Sequence, residues 1–253
     1  MTLTTPNDVD LGCYLYGIAG PELVVPADLE GVGGQIVTVV PHRDVAAVIS
    51  LADRDRSVAG RDDLLAHGRV LDTVAAAGPV IPVRFGAVLL DREALERDVL
   101  KPGHDRYRAL LAELSGHSQF TVRARYDERQ VLTEVVAENP AIAQLRAATR
   151  DRPDVSSYAD RVRLGELVAG ALEAKSAQDG HRLLTALEPH ATAVNVRDSA
   201  GLDRLLDVAV LVKDAGRAAF ERTVEGLANE FAGRARLKLI GPTAPYDFVT
   251  TED

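Results

Sequence analysis

The sequence predicts an α+β protein of two domains, and three observations carry that expectation. Its 253 residues exceed the roughly 100–200 residues of one ordinary domain. Hydrophobic residues make up 46 % and charged residues 26 %, the balance of a globular chain with a sizeable core. Alternating and helical apolar patterns also intermingle along the chain instead of forming an all-α or all-β run.

In the first half, residues 12–18 are rich in Tyr, Leu and Ile and end before Gly20 and Pro21, which suits a short strand closed by a turn. Gly31, Gly33 and Gly34 read as a flexible hairpin connection before a strand over 35–40 that stops at Pro41, and residues 45–51 suit a strand or a short helix. Leu64, Leu71, Val74 and Ala75 recur at helical spacing over 62–77, with Asp62 and Asp63 at the start and Gly78-Pro79 at the stop. Residues 80–90 are apolar but contain Pro82 and Gly86, so they predict an irregular or edge strand. Helical patterns at 92–100 and 105–115 flank an expected break at Pro102-Gly103.

Beyond Gly116, Phe120, Val122, Ala124 and Tyr126 alternate with Thr121, Arg123 and Arg125, the period of a strand with one buried face. Helices are expected at 128–138, at 142–150 and at 158–187 with a break near Gly180. A strand at 191–197, a turn at 198–201, a strand at 205–212, a helix at 215–232 and a strand at 234–240 follow. The order is βα, an inserted helical pair, then ββαβ, a ferredoxin-like arrangement. The expected organisation is an N-terminal mixed domain at 1–116 and a ferredoxin-like βαββαβ domain at 117–240 with its insertion at about 141–188. The remaining 241–253 are expected to form a tail that packs back on the N-terminal domain and bridges the two, because 241–249 is too apolar for a solvated tail.

The formal charge is −9, with 11 basic and 17 acidic residues up to Gly116 and 18 and 21 after it. Neither half is basic, which argues against an extended track for phosphate backbones. Cys13 is the single cysteine, so no internal disulfide or thiolate metal cluster forms, and a reducing, cytoplasmic setting fits. Residues 1–11 lack the pattern of a signal peptide, and no apolar run approaches the ~20 residues that span a bilayer. No lipid membrane partner is therefore expected.

Three separated blocks together resemble the gas vesicle accessory family GvpF/GvpL. The first contains Tyr14, Tyr16 and Gly17; the second contains His67 and then Pro82, Val83, Arg84, Phe85 and Gly86; the third contains Gly241, Pro242, Pro245, Tyr246 and Phe248. The resemblance is nearly full-length, and family members often carry an aromatic residue where Thr243 stands. It implies a two-domain, non-enzymatic protein without a cofactor, needed for gas vesicle assembly and located at the vesicle within the cytoplasm. Its implied partners are the main hydrophobic shell protein and other accessory proteins. The resemblance leaves open whether the chain stays in the finished wall, on its gas-facing side, or acts only during assembly.

The residues offer little catalytic chemistry of their own. His67 lies between Leu64 and Leu71 on the expected apolar stripe, so a structural role is expected, with Arg84, Asp44 or a backbone carbonyl as its partner. A small-molecule enzyme built around His67 and Arg84 would need an enclosed polar pocket joining them. The six His and one Cys show no zinc spacing, and Asp53, Asp55, Asp62 and Asp63 lack a calcium-loop pattern, so no metal is expected.

Two surfaces are candidates for binding. In ferredoxin-like order the first and last strands are neighbours, which sets Arg123 and Arg125 beside Arg234, Arg236 and Lys238 on the sheet face away from the helices. These cations either pair with local acids or dock an acidic partner or the other domain. A regulatory or nucleic-acid-binding module is the alternative function, but Thr121, Ala209 and Leu211 stand where stacking aromatics would be needed. The second surface is the apolar edge at 80–90, with Val83 and Phe85, which either accepts a partner strand or is already covered by the preceding helix.

Overall fold

A computed structural model describes residues 11–53, 60–197, 201 and 203–249. Asp55, most of the N-terminal stretch 1–11 and most of the turn expected at 198–201 lie outside the described residues. The chain is mixed α+β and divides into two compact units, Met1–Gln119 with Gly241–Asp253, and Phe120–Ile240.

In the first unit, β1 (Leu11–Ala19) is central and pairs antiparallel with β3 (Val45–Asp53). On the other side it pairs with the short β4 (Val80–Pro82) and β5 (Val88–Leu89), and β2 (Thr38–His42) closes the far edge against β3. The strand expected at 35–40 thus sits later and includes Pro41. An edge strand tolerates proline because one row of its backbone groups needs no ladder partner. Residues 45–51 resolve as strand, as their β-branched content favours.

The helix α1 (Arg61–Ala77) covers this sheet, and it buries Ala66, His67, Val70, Leu71 and Val74. Leu64, expected on the buried stripe, is 52 % exposed: the inward face is centred on residues 63, 67, 70 and 74, about a quarter turn away. α2 (Arg92–Ala94), capped by the Asp91 carboxylate, runs through a π-helical stretch (Leu95–Leu100) into α3 (Lys101–Leu114). The expected break at Pro102-Gly103 is therefore absent. A wider turn, in which Lys101 N–H donates to the Glu96 carbonyl, precedes Pro102 and accommodates its missing N–H. Gly103 leaves room for the Tyr107 ring, which a Cβ would strike.

In the second unit the sheet order is β7-β8-β6-β9, from β6 (His117–Tyr126), β7 (Ala191–Val196), β8 (Arg204–Lys213) and β9 (Ala235–Thr243). The first of these strands in the sequence thus lies beside the last. Phe120, Val122, Ala124 and Tyr126 share a core with Val208, Val210 and Val212 of β8. Over it pack α4 (Glu128–Glu138), α6 (Asp154–Leu187) and α7 (Arg217–Glu230), with α5 (Pro140–Thr149) against α4 and α6. The expected break at Gly180 does not occur. A Cβ there would lie 3.2 Å from the Leu205 carbonyl oxygen, so the glycine serves a close helix–strand approach.

One polar cluster is set into this core. Asp179 on α6 accepts from Tyr126 Oη at 2.6 Å and from Arg234 Nη2 at 2.6 Å, while Arg234 also reaches Glu134 and lies over the Phe231 ring. Burial, and then the neighbouring Asp179 carboxylate, push the Tyr126 hydroxyl well above its ordinary pKa, so it stays a donor. Asp179→Ala would strand a partly buried guanidinium, and solvent screening at Arg234 moderates the cost to about 2 kcal/mol. Urea unfolding should show that loss, with Asp179→Asn retaining part of it.

Candidate functional site

Tyr14 and Tyr16 stand two residues apart on β1, so both side chains leave the sheet on one face and meet α1. His67 of that helix is 2 % exposed and stacks on the Tyr16 ring at 5.5 Å with an interplanar angle of 27°. Tyr14 and Phe85 meet the imidazole edge-on. Both nitrogens are engaged: Tyr14 Oη lies 2.9 Å from Nδ1, and Tyr246 Oη lies 2.9 Å from Nε2.

Gly86 N–H donates to Tyr14 Oη at 3.0 Å, which leaves the Tyr14 hydroxyl proton for His67 Nδ1. Nε2–H then donates to Tyr246, so one neutral tautomer satisfies every group. Burial holds the His67 pKa below its ordinary value, with a contact to the Val83 backbone pulling the other way. Burial also pushes the Tyr14 hydroxyl up to about 12.

Of the three partners expected for His67, the backbone is present through Val83, while Arg84 and Asp44 give way to the Tyr14 and Tyr246 hydroxyls. Arg84 is exposed, and Asp44 lies 3.7 Å from His104. A long-range hydroxyl wins because a neutral buried imidazole pairs with a neutral partner at less desolvation cost than with a charge.

The closing segment is bound to the same unit at four points. Tyr246 reaches His67, Ala244 is fully buried in the core, and its N–H points to the Asp72 carboxylate at 3.4 Å. Gln119 donates to Asp247 at 2.7 Å and accepts the Asp247 N–H at 3.1 Å. Gly241 has a φ of 136°, which only glycine adopts without strain, and the Gly241-Pro242 peptide is cis. Pro245 is buried and Phe248 partly so. Gly86, at φ 94°, turns the chain between β4 and β5 and aims its N–H at Tyr14.

The glycine-rich stretch is the hairpin connection expected, closed by an antiparallel bridge between Glu30 and Ile36, with Gly31 and Val32 buried and Gly33 and Gly34 exposed. A 3₁₀ turn (Val32–Gly34) brings Val32 N–H within 2.7 Å of Tyr16 Oη, which also meets Ser50 Oγ at 2.9 Å. The sequence does not disclose the role of Ser50, or that Gly31 packs against the Tyr16 hydroxyl. Their signal, a polar residue in an apolar strand and a glycine before a turn, names no partner.

Of the basic constellation, Arg123 pairs with Asp207 at 3.0 Å and Arg125 with Asp203 at 3.1 Å, whereas Arg236 and Lys238 are exposed on β9 without an ion pair among the described residues. Arg234 does not share their face. It precedes β9, so strand alternation does not govern it, and Asp179, Glu134 and Phe231 draw it to the helix side. Thr121, Ala209 and Leu211 are buried. On the apolar edge, Val83 is partly buried and Phe85 packs into the tyrosine–histidine cluster, while Val88 and Leu90 are 42 % and 51 % exposed. Among the described residues no group of three or more His, Cys, Asp or Glu is placed to hold a metal ion, and no helix is long and apolar enough to cross a membrane.

Two antiparallel-sheet units and a closing segment pinned by a hydroxyl–imidazole–hydroxyl chain around the buried His67 define a protein built around structural ties. The sequence matches the family described as gas vesicle synthesis protein GvpL/GvpF over residues 12–250, and the chain belongs to that family. It is 31 % identical over 242 residues to gas vesicle protein F of Streptomyces sp. (strain CB03234), covering 94 % of this chain and all of that one. The fold is similar to the crystal structure of GvpF from Anabaena sp. PCC7120, with a TM-score of 0.82 at 25 % identity, over 96 % of this chain and 99 % of that one. It is also similar to that of GvpF from Microcystis aeruginosa, with a TM-score of 0.75 at 26 % identity, over 94 % and 98 %. A gas vesicle-related role follows from the family, which is a structural and assembly family rather than a known enzyme family.

Proposed function

We propose that this protein helps assemble the gas vesicle wall by binding the main hydrophobic shell protein, with other accessory gas vesicle proteins as further partners at the vesicle within the cytoplasm. Beyond family membership, the observation that carries this function is the outer edge of β5. Among the described residues β5 pairs only with β1, and the exposed Val88 and Leu90 lie in and just after it. An unpaired edge with apolar side chains offers main-chain hydrogen bonds and burial to an aggregation-prone partner. Val83 and Phe85 support that edge from within. Arg236 and Lys238 add a cationic surface for an acidic segment.

The test is capture of the purified shell protein and of each other gas vesicle component by the full chain, at low and moderate salt. Selective shell capture that survives moderate salt is expected, because apolar burial is screened little. Val88→Asp with Leu90→Lys should weaken it at least tenfold, about 1.4 kcal/mol, without loss of folding. Arg236→Glu with Lys238→Glu should weaken it only at low salt. Absence of shell capture, or capture unchanged by the edge variant, would overturn the proposal.

A further inference from the structure

We infer that the groove between α4, α5 and α6 docks an amphipathic helix of a partner protein, one whose apolar stripe is bordered by acidic residues. The groove holds about 370 Å³ and is walled by Leu132 and Val136 of α4 and by Leu164 and Val168 of α6. Each pair is spaced i, i+4 and so forms a ridge along its helix. All four pack inward on the core of the second unit yet stay partly exposed outward. Leu167, three residues after Leu164 and so on the same side of α6, is also exposed and extends the apolar surface.

The walls decide what kind of segment fits. They are helices, whose backbone donors and acceptors are consumed internally, so an extended peptide would find no ladder partners and would bury unpaired amides. A helix brings a satisfied backbone and presents side chains at i, i+3, i+4 and i+7. The groove follows α4 from Arg129 to Val136, roughly 10 Å or two turns, which matches such a set.

Charge sets the polarity of the partner. Arg129 on α4 and Arg146 on α5 line the groove and are exposed, and neither has an ion pair among the described residues. Elsewhere in this unit Arg123, Arg125, Arg182, Arg217 and Arg234 have carboxylate partners, while Arg163, Arg222 and Arg236 have none among the described residues, so it is the place of Arg129 and Arg146 beside the apolar trough that sets them apart. Two unpaired guanidinium groups beside an apolar trough, in a chain of net charge −9, complement acids along the border of an incoming helix. This site lies in a different unit from the β5 edge and stands whether or not that edge binds the shell protein.

The experiment uses the full chain and two fluorescent, helix-stapled peptides of about 15 residues with the same leucine stripe, one bordered by glutamates and one by lysines. Anisotropy should show the glutamate peptide binding at least tenfold tighter, and Arg129→Glu with Arg146→Glu should reverse that order. Both arginines are exposed, so the variant keeps the fold, which circular dichroism checks. Equal binding of the two peptides, no binding, or an unchanged preference in the variant would overturn the inference. So would a concentration-dependent dimer that the same variant abolishes, since that would give the groove to a second copy of this chain.

Discussion

Alanine at Gly17 is expected to lower the stability of the first unit by about 3 kcal/mol, although the usual effect of replacing a strand glycine runs the other way. Alanine restricts the unfolded chain and so gains about 0.4–1 kcal/mol where the native backbone accepts it. At Gly17 the added Cβ would lie 2.7 Å from the Ile81 carbonyl oxygen, 3.0 Å from Val80 and 3.1 Å from Leu71. The first of these is backbone held in the β1–β4 ladder, and the others are fully buried, so nothing nearby yields cheaply. Gly31→Ala should cost at least as much, because its Cβ would clash with the Tyr16 hydroxyl, which is fully buried and bonded to Val32 and Ser50. Gly20→Ala is the control: nothing lies within 4 Å of its added Cβ. Urea midpoints should fall strongly for Gly17→Ala and Gly31→Ala and stay within about 0.5 kcal/mol for Gly20→Ala. A Gly17→Ala protein as stable as the parent would refute the steric account.

These glycines show which parts of the structure a sequence discloses. The strand at 120–126 and the helices α1 and α4 follow from local periodicity, because alternation and 3.6-residue recurrence record which face is buried. The helix breaks expected at Pro102-Gly103 and Gly180 fail for the complementary reason. Glycine and proline are local breakers only when no tertiary contact uses them, and here a π-helical turn, the Tyr107 ring and the Leu205 carbonyl do. The structural importance of His67 is legible from its place on the helix, but its partner Tyr246 lies 179 residues away, a separation that no spacing rule bridges. The basic sheet face is legible for Arg123, Arg125, Arg236 and Lys238. It misleads at Arg234, where the strand has not yet begun and carboxylates from two helices set the direction.

His67 joins three segments that are distant in sequence, so its removal tests whether the closing segment is integral to the first unit. His67→Ala is expected to cost about 3–4 kcal/mol: it opens a cavity among the Tyr14, Tyr16 and Phe85 rings and removes the partner of two hydroxyl groups. His67→Gln keeps hydrogen-bonding capacity and should cost less than half of that. The two differ from the parent in pH dependence as well. Because burial holds the folded pKa of His67 below the unfolded value of about 6.5, the unfolded chain takes up the proton first as the pH falls. Stability from this group is therefore complete above that unfolded value and declines below it, until the folded pKa is reached. The parent should lose stability between pH 7.5 and pH 5 that His67→Gln does not lose, and amide exchange in 241–249 should rise with it. Parallel pH profiles for parent and His67→Gln would show that the imidazole carries no proton-linked stability. Faster exchange confined to α1 would show that the closing segment is held by Ala244 and the Gln119–Asp247 pair without the Tyr246 contact.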